Sequence, residues 1–372
     1  MANPSFLFRV DASLLIGAGH VMRCLTLADR LRVEGADCSF VCREHVGHLC
    51  DLIEGRGYTV HRLPVGESLS THRGADVLRS DYGGWLGTSE EEDAALTAGL
   101  IAPDTPLGWI VVDHYALGAR WERALRSSCR KMFAIDDLAN RAHDCDVLLD
   151  QNLGRSSSDY DDLVPPHCQR LIGPEYALLR PEFAALRAAS LARRKDGQCR
   201  DILVTMGGVD ADNVTGVALA ALDSAALPAD TRVTVVLGAS APWIEAVQTQ
   251  ARGMRLKTKI MVNVNNMAEL MRDADLALGA AGSTAWERCC MGLPTMQVAL
   301  ADNQRHIAKA LTDHGAAVWV ERHHWADDVG TACATLLIRP EAMIAMSNAA
   351  AAVTDGLGAN RIARSLSRGV VT

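Results

Sequence analysis

The sequence predicts an α/β protein of two doubly wound, Rossmann-type domains facing a central cleft, and three observations lead there. Strand-like apolar runs alternate with helical patterns twice, over 1–180 and again over 198–350, as a parallel sheet with helices on both faces requires. Each set opens with an apolar strand running into a glycine turn, Gly17-Ala18-Gly19-His20 in the first and Met206-Gly207-Gly208 in the second. Between them Arg193-Arg194-Lys195-Asp196-Gly197 reads as a polar linker. Ligands of such sheets bind outside the carboxyl ends of the strands, so one site in the cleft is expected.

The strands of the first domain are expected at Phe6–Asp11, Cys38–Cys42, Tyr58–Leu63, Trp109–Asp113, Lys131–Asp136, Asp146–Asp150 and Arg170–Ile172, with a helical pattern over Arg120–Ser127. The stretch from Gly66 to Thr97, rich in Gly, Ser, Asp and Glu, reads as a mobile loop followed by a surface helix. The second domain predicts strands at Asp201–Met206, Arg232–Leu237, Lys257–Val262, Asp275–Leu278, Thr295–Ala299 and Ala316–Val320. Its helical patterns fall at Val214–Leu222, Trp243–Gln250, Met267–Asp273, Thr284–Met291 and Arg305–His314. An alanine-rich helical stretch with a break at Pro340 follows, and 351–372 is expected to be a helical tail.

Composition narrows the partners. Over 372 residues the net charge is -8, and no long basic run appears, which argues against nucleic acid or an anionic membrane. No signal-peptide pattern is present, and no apolar run reaches membrane-spanning length. Eleven cysteines, odd in number and without CxxC pairs, fit a reducing cytoplasm. His45-x-x-His48 and His323-His324 lack the rest of a metal set, so neither a metal nor any other cofactor is expected. Oligomeric state is not readable.

The first glycine turn opens a helix. Gly17 and Gly19 allow close backbone approach, and the first N–H groups of the helix can face an anion. The positive helix end disfavours imidazolium, so His20 is expected to stay neutral and accept a proton. An ordinary turn with an incidental histidine is the bland alternative. Asp11, at the end of the preceding strand, is expected to orient the imidazole, and Arg23 lies one turn into the helix. Asp113-His114-Tyr115 ends a strand at the same edge and suits sugar contacts. Asp137 reads as a turn residue.

In the second domain Gly207-Gly208 offers room and N–H groups for a phosphate, although a simple chain reversal explains it as well. Gly282-Ser283-Thr284 is more specific, since small residues lead from a strand into a helix whose first turn suits a diphosphate. Glu287 suits a ribose diol, or else a capping box. Val262, before Asn263 to Asn266, could read a base edge through its backbone, with the asparagines as caps. Asn303 and Gln304 suit sugar hydroxyls, or an N-cap before Arg305.

These motifs resemble a known family. Phe8-Arg9-Val10-Asp11 followed by Gly19-His20-Val21-Met22-Arg23-Cys24, then Val112-Asp113-His114-Tyr115, Tyr176-Ala177-Leu178-Leu179-Arg180-Pro181-Glu182-Phe183, Met206-Gly207-Gly208-Val209-Asp210 and Asp302-Asn303-Gln304, look like the UDP-2,4-diacetamido-2,4,6-trideoxy-β-L-altropyranose hydrolases of pseudaminic acid biosynthesis. The resemblance runs from about Phe6 to Val320. It implies a GT-B-like fold related to nucleotide-sugar glycosyltransferases, His20 as general base, Asn303 at the sugar and Glu287 at the ribose. Trp286 departs from the pattern, where a smaller polar residue can stand.

The implied reaction is attack of water on the anomeric carbon of a UDP-linked sugar, with departure of UDP and inversion. The diphosphate needs its charge stabilised more than it needs a proton, whereas water needs a base. Three other classes use the same parts. A GT-B glycosyltransferase would need an acceptor cleft, a UDP-sugar 2-epimerase would need acid–base groups about C2, and a non-catalytic sensor would leave UDP-sugar intact.

Overall fold

The computed structural model describes residues 3–66 and 82–367. The loop expected within 66–97 therefore falls largely on residues outside those described. The chain divides into two units, Met1–Leu178 with Gly358–Thr372, and Leu179–Leu357.

In the first unit, β1 (Ser5–Val10) leads through the glycine turn into α1 (Gly19–Val33). There follow β2 (Asp37–Arg43), α2 (Cys50–Gly55), β3 (Thr59–Leu63), α3 (Glu90–Ala98), β4 (Leu107–Asp113), α4 (Ala119–Ala124), β5 (Cys129–Ile135), β6 (Val147–Asp150) and β7 (Gln169–Ile172). The sheet has seven strands in the order β3-β2-β1-β4-β5-β6-β7, every pairing parallel. Both faces are covered, which is why the strands read as nearly continuous apolar runs. Phe6, Phe8 and Val10 point to one core with Leu25 and Leu31 of α1; Leu7, Ile110 and Val112 point to the other with Trp121 and Leu125.

The second unit begins with α5 (Pro181–Arg193) and continues through β8 (Asp201–Thr205), α6 (Val214–Ser224), β9 (Arg232–Leu237), α7 (Ile244–Gly253), β10 (Lys257–Val262), α8 (Met267–Asp273) and β11 (Leu276–Ala280). It closes with α9 (Thr284–Cys290), β12 (Thr295–Val298), α10 (Asp302–Asp313), β13 (Val318–Trp319), α11 (Trp325–Leu337) and α12 (Pro340–Val353). Its sheet is again parallel, in the order β10-β9-β8-β11-β12-β13.

Two expectations change. The charged stretch from Arg193 is not wholly a surface linker. Arg193 ends α5 and pairs with Asp275 and Asp201, each at 2.9 Å. Arg194 is buried and donates to the carbonyls of Ser190, Met271 and Ala274, each at 2.6 Å. Carbonyl oxygens at helix ends, which lack intrahelical partners, give a guanidinium reason to fold inward. The region from 351 onward is likewise no single tail. Helix α12 ends in the second unit, and α13 (Gly358–Ser367) joins the first, burying Ala359, Ile362, Ala363 and Leu366 in the core that contains α1. The i, i+3, i+4, i+7 spacing of those four residues makes one apolar stripe.

Candidate active site

Strand order reverses between β1 and β4 in the first unit, and the loops leaving their carboxyl ends flank that switch point. Gly17 takes φ +78°, a left-handed conformation that glycine tolerates, and a Cβ there would meet nothing within 4 Å. Its N–H closes a turn onto the Ser13 carbonyl at 2.9 Å, and the Ser13 hydroxyl accepts from the N–H groups of Leu15 and Ile16. The turn delivers the chain into α1 at Gly19 with no side chain capping the helix. His20 therefore sits in an uncapped first turn.

Asp113, the last residue of β4, meets it. The Nδ1 atom of His20 lies 2.7 Å from Oδ1 of Asp113. Arg23, one turn further along α1, donates to both carboxylate oxygens at 2.6 Å, and the Cys24 thiol lies 3.5 Å from Oδ2. Burial alone would raise the Asp113 carboxyl, but the Arg23 guanidinium and His20 outweigh it and hold it well below the usual range. A carboxylate at 2.7 Å accepts from Nδ1, and in a neutral imidazole that leaves Nε2 as the acceptor. Arg23 also approaches Nδ1, at 3.2 Å, but its closer contacts are to the carboxylate.

The orienting group is thus Asp113, and the expectation for Asp11 is corrected. Asp11 is fully buried and pairs with Arg9 at 2.6 and 2.9 Å while accepting the Arg43 backbone N–H at 2.6 Å. Burial, which would raise it, is outweighed by Arg9 and by His114 and His45. Arg9 in turn holds Asp93 of α3 at 2.9 and 2.7 Å, and Trp121 and Arg43 donate to the same carboxylate. This buried network ties the end of β1 to its neighbours, so Asp11 braces the turn. His114 is 2% exposed, accepts the Ala116 N–H at 3.1 Å and turns Nε2 toward Asp11 at 3.4 Å. It too supports the turn through these contacts.

Tyr115 lies beside His20. Its ring meets the imidazole edge-on, with centroids 4.7 Å apart, and its hydroxyl donates to Asp137 at 2.8 Å. Arg23 and Asp113 are likewise buried, and both contact His20. Sequence reasoning missed Tyr82, Trp85 and Asp137. Trp85 lies 6.3 Å from His20, stacks on Tyr115 at 5.5 Å and meets Tyr82 at 4.8 Å, so aromatic rings wall the imidazole on one side. The pattern Tyr82-Gly83-Gly84-Trp85 was the available signal, hidden in a stretch of loop composition.

In the second unit the corresponding switch point lies between β8 and β11. Gly207 has φ +92°, and a Cβ on Gly207 or Gly208 would meet nothing within 4 Å, so the turn has the expected room. The donors differ from expectation. Asp210 accepts the N–H groups of Val214 and Thr215 at 2.8 and 2.9 Å, and Asn213 accepts that of Gly216 at 3.1 Å. The start of α6 is therefore spent on its own caps.

The turn at Gly282 keeps its donors. Ser283 stands at the N-cap of α9 without a side-chain capping bond, and Thr284 Oγ1 accepts from Arg288 at 3.2 Å. The capping-box alternative is not built. Glu287 pairs with Arg180 at 3.3 Å, and its side chain is 15% exposed. Burial raises its carboxyl, opposed by Arg180. Arg288 is buried, donates to the Ala280 carbonyl at 2.8 Å and is pushed down to about 10 by burial. A Cβ on Gly279 would lie 2.6 Å from that guanidinium, so glycine leaves it room.

Val262 ends β10 and is 37% exposed, followed by Asn263 at φ +52°. Asn266 is the N-cap residue of α8, yet its side chain donates to Glu269 at 3.2 Å. Helix α10 starts at Asp302 and not at Arg305, so Asn303 and Gln304 are first-turn residues and not caps. Gln304 accepts the Leu300 N–H at 3.0 Å, and its amide nitrogen would lie 3.6 Å from a Cβ on Gly282, joining two of the predicted ligand segments.

Comparison with known proteins agrees with this architecture. Residues 201–362 match the glycosyltransferase family 28 C-terminal domain. The chain is 27% identical over 313 residues to the UDP-2,4-diacetamido-2,4,6-trideoxy-beta-L-altropyranose hydrolase of Campylobacter jejuni, covering 84% of this chain and 97% of that one. Among solved structures, Acinetobacter baumannii MurG superposes with a TM-score of 0.69 at 15% identity, covering 99% of this chain and 100% of the other. Arabidopsis thaliana UGT89C1, complexed with UDP-L-rhamnose, gives 0.62 at 13%, covering 98% and 99%. The chain has the GT-B fold.

Proposed function

We propose that this protein hydrolyses a UDP-linked 2,4-diacetamido-2,4,6-trideoxyhexose at the anomeric C–O bond, releasing UDP and the free sugar with inversion, in pseudaminic acid biosynthesis. The observation that carries the reading is the buried His20–Asp113 pair at the switch point of the first sheet. The named Campylobacter relative, similar over most of the chain, supplies the substrate class.

In this reading Nε2 of His20 takes a proton from water as the water oxygen bonds to the anomeric carbon. The anomeric C–O bond breaks, and its electron pair leaves on the β-phosphate of UDP. Asp113 keeps the accepting lone pair on Nε2 and stabilises the imidazolium that forms. The second unit binds UDP, with Glu287 on the ribose, Val262 near the base, and the N–H groups of Gly282, Ser283 and Thr284 on the diphosphate. Those donors stabilise the charge that develops on the leaving group, so no metal or other cofactor is needed. Asn303 and Gln304 contact the sugar.

The test is UDP release from a panel of UDP-sugars, without acceptor, in ¹⁸O-water. Label in the released sugar is expected, and label in UDP would place attack at phosphorus and overturn the reading. UDP release that requires an added acceptor would make the protein a transferase. His20→Ala should abolish UDP release and leave UDP binding nearly intact, and turnover within a few-fold of wild type would remove the base assignment.

A further inference from the structure

The contacts around His20 close on themselves. His20 donates to Asp113 at 2.7 Å, and Asp113 accepts from Arg23 at 2.6 Å. Arg23 donates onward to Asp137 at 2.6 Å, and Tyr115 donates to the same Asp137 oxygen at 2.8 Å. The Tyr115 ring then returns to the imidazole, edge-on at 4.7 Å. Five side chains from α1, the end of β4 and the turns after β4 and β5 form one cycle.

The turn that carries Asp137 is pinned separately. Asn152 donates to its carbonyl at 3.2 Å, and Arg155 donates to that carbonyl at 3.4 Å and to Leu138 at 2.9 Å. A backbone held at two successive carbonyls leaves its carboxylate little freedom. The other oxygen, Oδ1, is buried without a hydrogen-bond partner, a cost that a simple turn residue has no reason to carry. The Asp137 side chain is 11% exposed, too covered for an ordinary surface aspartate.

We infer that Asp137 is a positioning residue for the general base. By clamping Arg23 and the Tyr115 hydroxyl together it fixes both the carboxylate that orients Nδ1 and the ring wall that limits imidazole rotation. The inference rests on the assignment of His20 as the base. A ring held from two sides keeps Nε2 aimed at one point, and misplacement by about 1 Å can cost on the order of 100-fold in rate.

The test combines steady-state kinetics with proton NMR of the His20 imidazole, its resonance assigned by loss in His20→Ala. In Asp137→Asn, kcat for UDP release should fall about 10- to 100-fold with KM within about twofold. Exchange of the Nδ1 proton should quicken at least about tenfold. Tyr115→Phe, which removes one bond and no charge, should show the same pattern more weakly, and it serves if Asp137→Asn does not fold. Unchanged kcat and exchange in a folded variant would overturn the inference. A raised KM with kcat preserved would overturn it too, making Asp137 a substrate contact. If His20→Ala stays active while Asp137→Asn still frees the Nδ1 proton, the base assignment fails and the tether stands; if His20→Ala is dead and Asp137→Asn behaves as wild type, the tether fails and the base stands.

Discussion

Oδ1 of Asp113 accepts a hydrogen bond from Nδ1 of His20 at 2.7 Å, although the two residues are 93 positions apart in the chain. The bond joins the uncapped start of α1 to the last residue of the neighbouring strand β4, and it selects which nitrogen of the imidazole can take a proton. Asp113→Asn keeps the shape and removes the charge. The imidazole then loses its orienting partner, and kcat for UDP release should fall by at least about 100-fold. The Kd for UDP, measured by calorimetry, should be unchanged. Wild-type turnover in the folded variant would show that the pair is structural.

Glu287 offers a second handle. It shares Arg180 with Glu182, at 3.3 and 3.2 Å, and keeps a partly exposed carboxylate. Hydrogen bonds to a charged group contribute about 1.5–3 kcal/mol, so Glu287→Gln should weaken UDP binding by roughly tenfold or more. UDP affinity equal to wild type would leave Glu287 only its bond to Arg180.

Gly208 separates binding from folding. A Cβ there meets nothing in the protein, so Gly208→Ala should melt within about 2 °C of wild type. The methyl group would occupy the room proposed for the diphosphate, and the Kd for UDP should rise at least about fivefold. Gly207→Ala differs, because φ +92° strains any other residue by about 1–2 kcal/mol and the melting temperature should drop as well. Normal UDP binding by the Gly208→Ala variant would move the diphosphate elsewhere.

Asp150 predicts a pH dependence of stability. Burial and the nearby Asp137 charge push its carboxyl up to about 7, against an ordinary value of 3.8. With the folded value raised, the stabilisation is complete below 3.8, where both states are protonated. It is lost as pH rises to about 7, because only the unfolded chain releases the proton easily. Asp150→Asn should remove that decline, on the order of a few kcal/mol, and denaturant midpoints at about pH 4 and about pH 8 would show it. Equal slopes in variant and wild type would refute the assignment.

Much of the fold was legible in the chain alone. Arg232–Leu237 is a strand over the limits its apolar character suggests, because that pattern reports local burial directly, whereas Lys257–Val262 is an edge strand of half-buried and exposed residues. The glycine turns were visible for the same kind of reason, since a left-handed φ at Gly17 and Gly207 is a local demand that glycine meets. His20 stood out because a histidine at a helix start is a local chemical feature.

What sequence could not determine were the partners. Asp11 is next to the glycine turn in sequence, yet Arg9 claims it, and the distant Asp113 takes its place at His20. Asp137 looked like a turn residue until Arg23 and Tyr115 reached it. Arg193 to Gly197 reads as a polar linker, but helix-end carbonyls draw Arg194 inward, while Arg193 pairs with carboxylates at the surface. Packing of sheets and helices made the long-range choices, Asp113 for His20, Asp137 for Arg23 and Asp275 for Arg193, by bringing remote segments together. Local composition specifies which residues can turn, cap or carry charge; only the packed sheet determines which charge faces which, because side-chain pairing depends on distances that the order of residues does not contain.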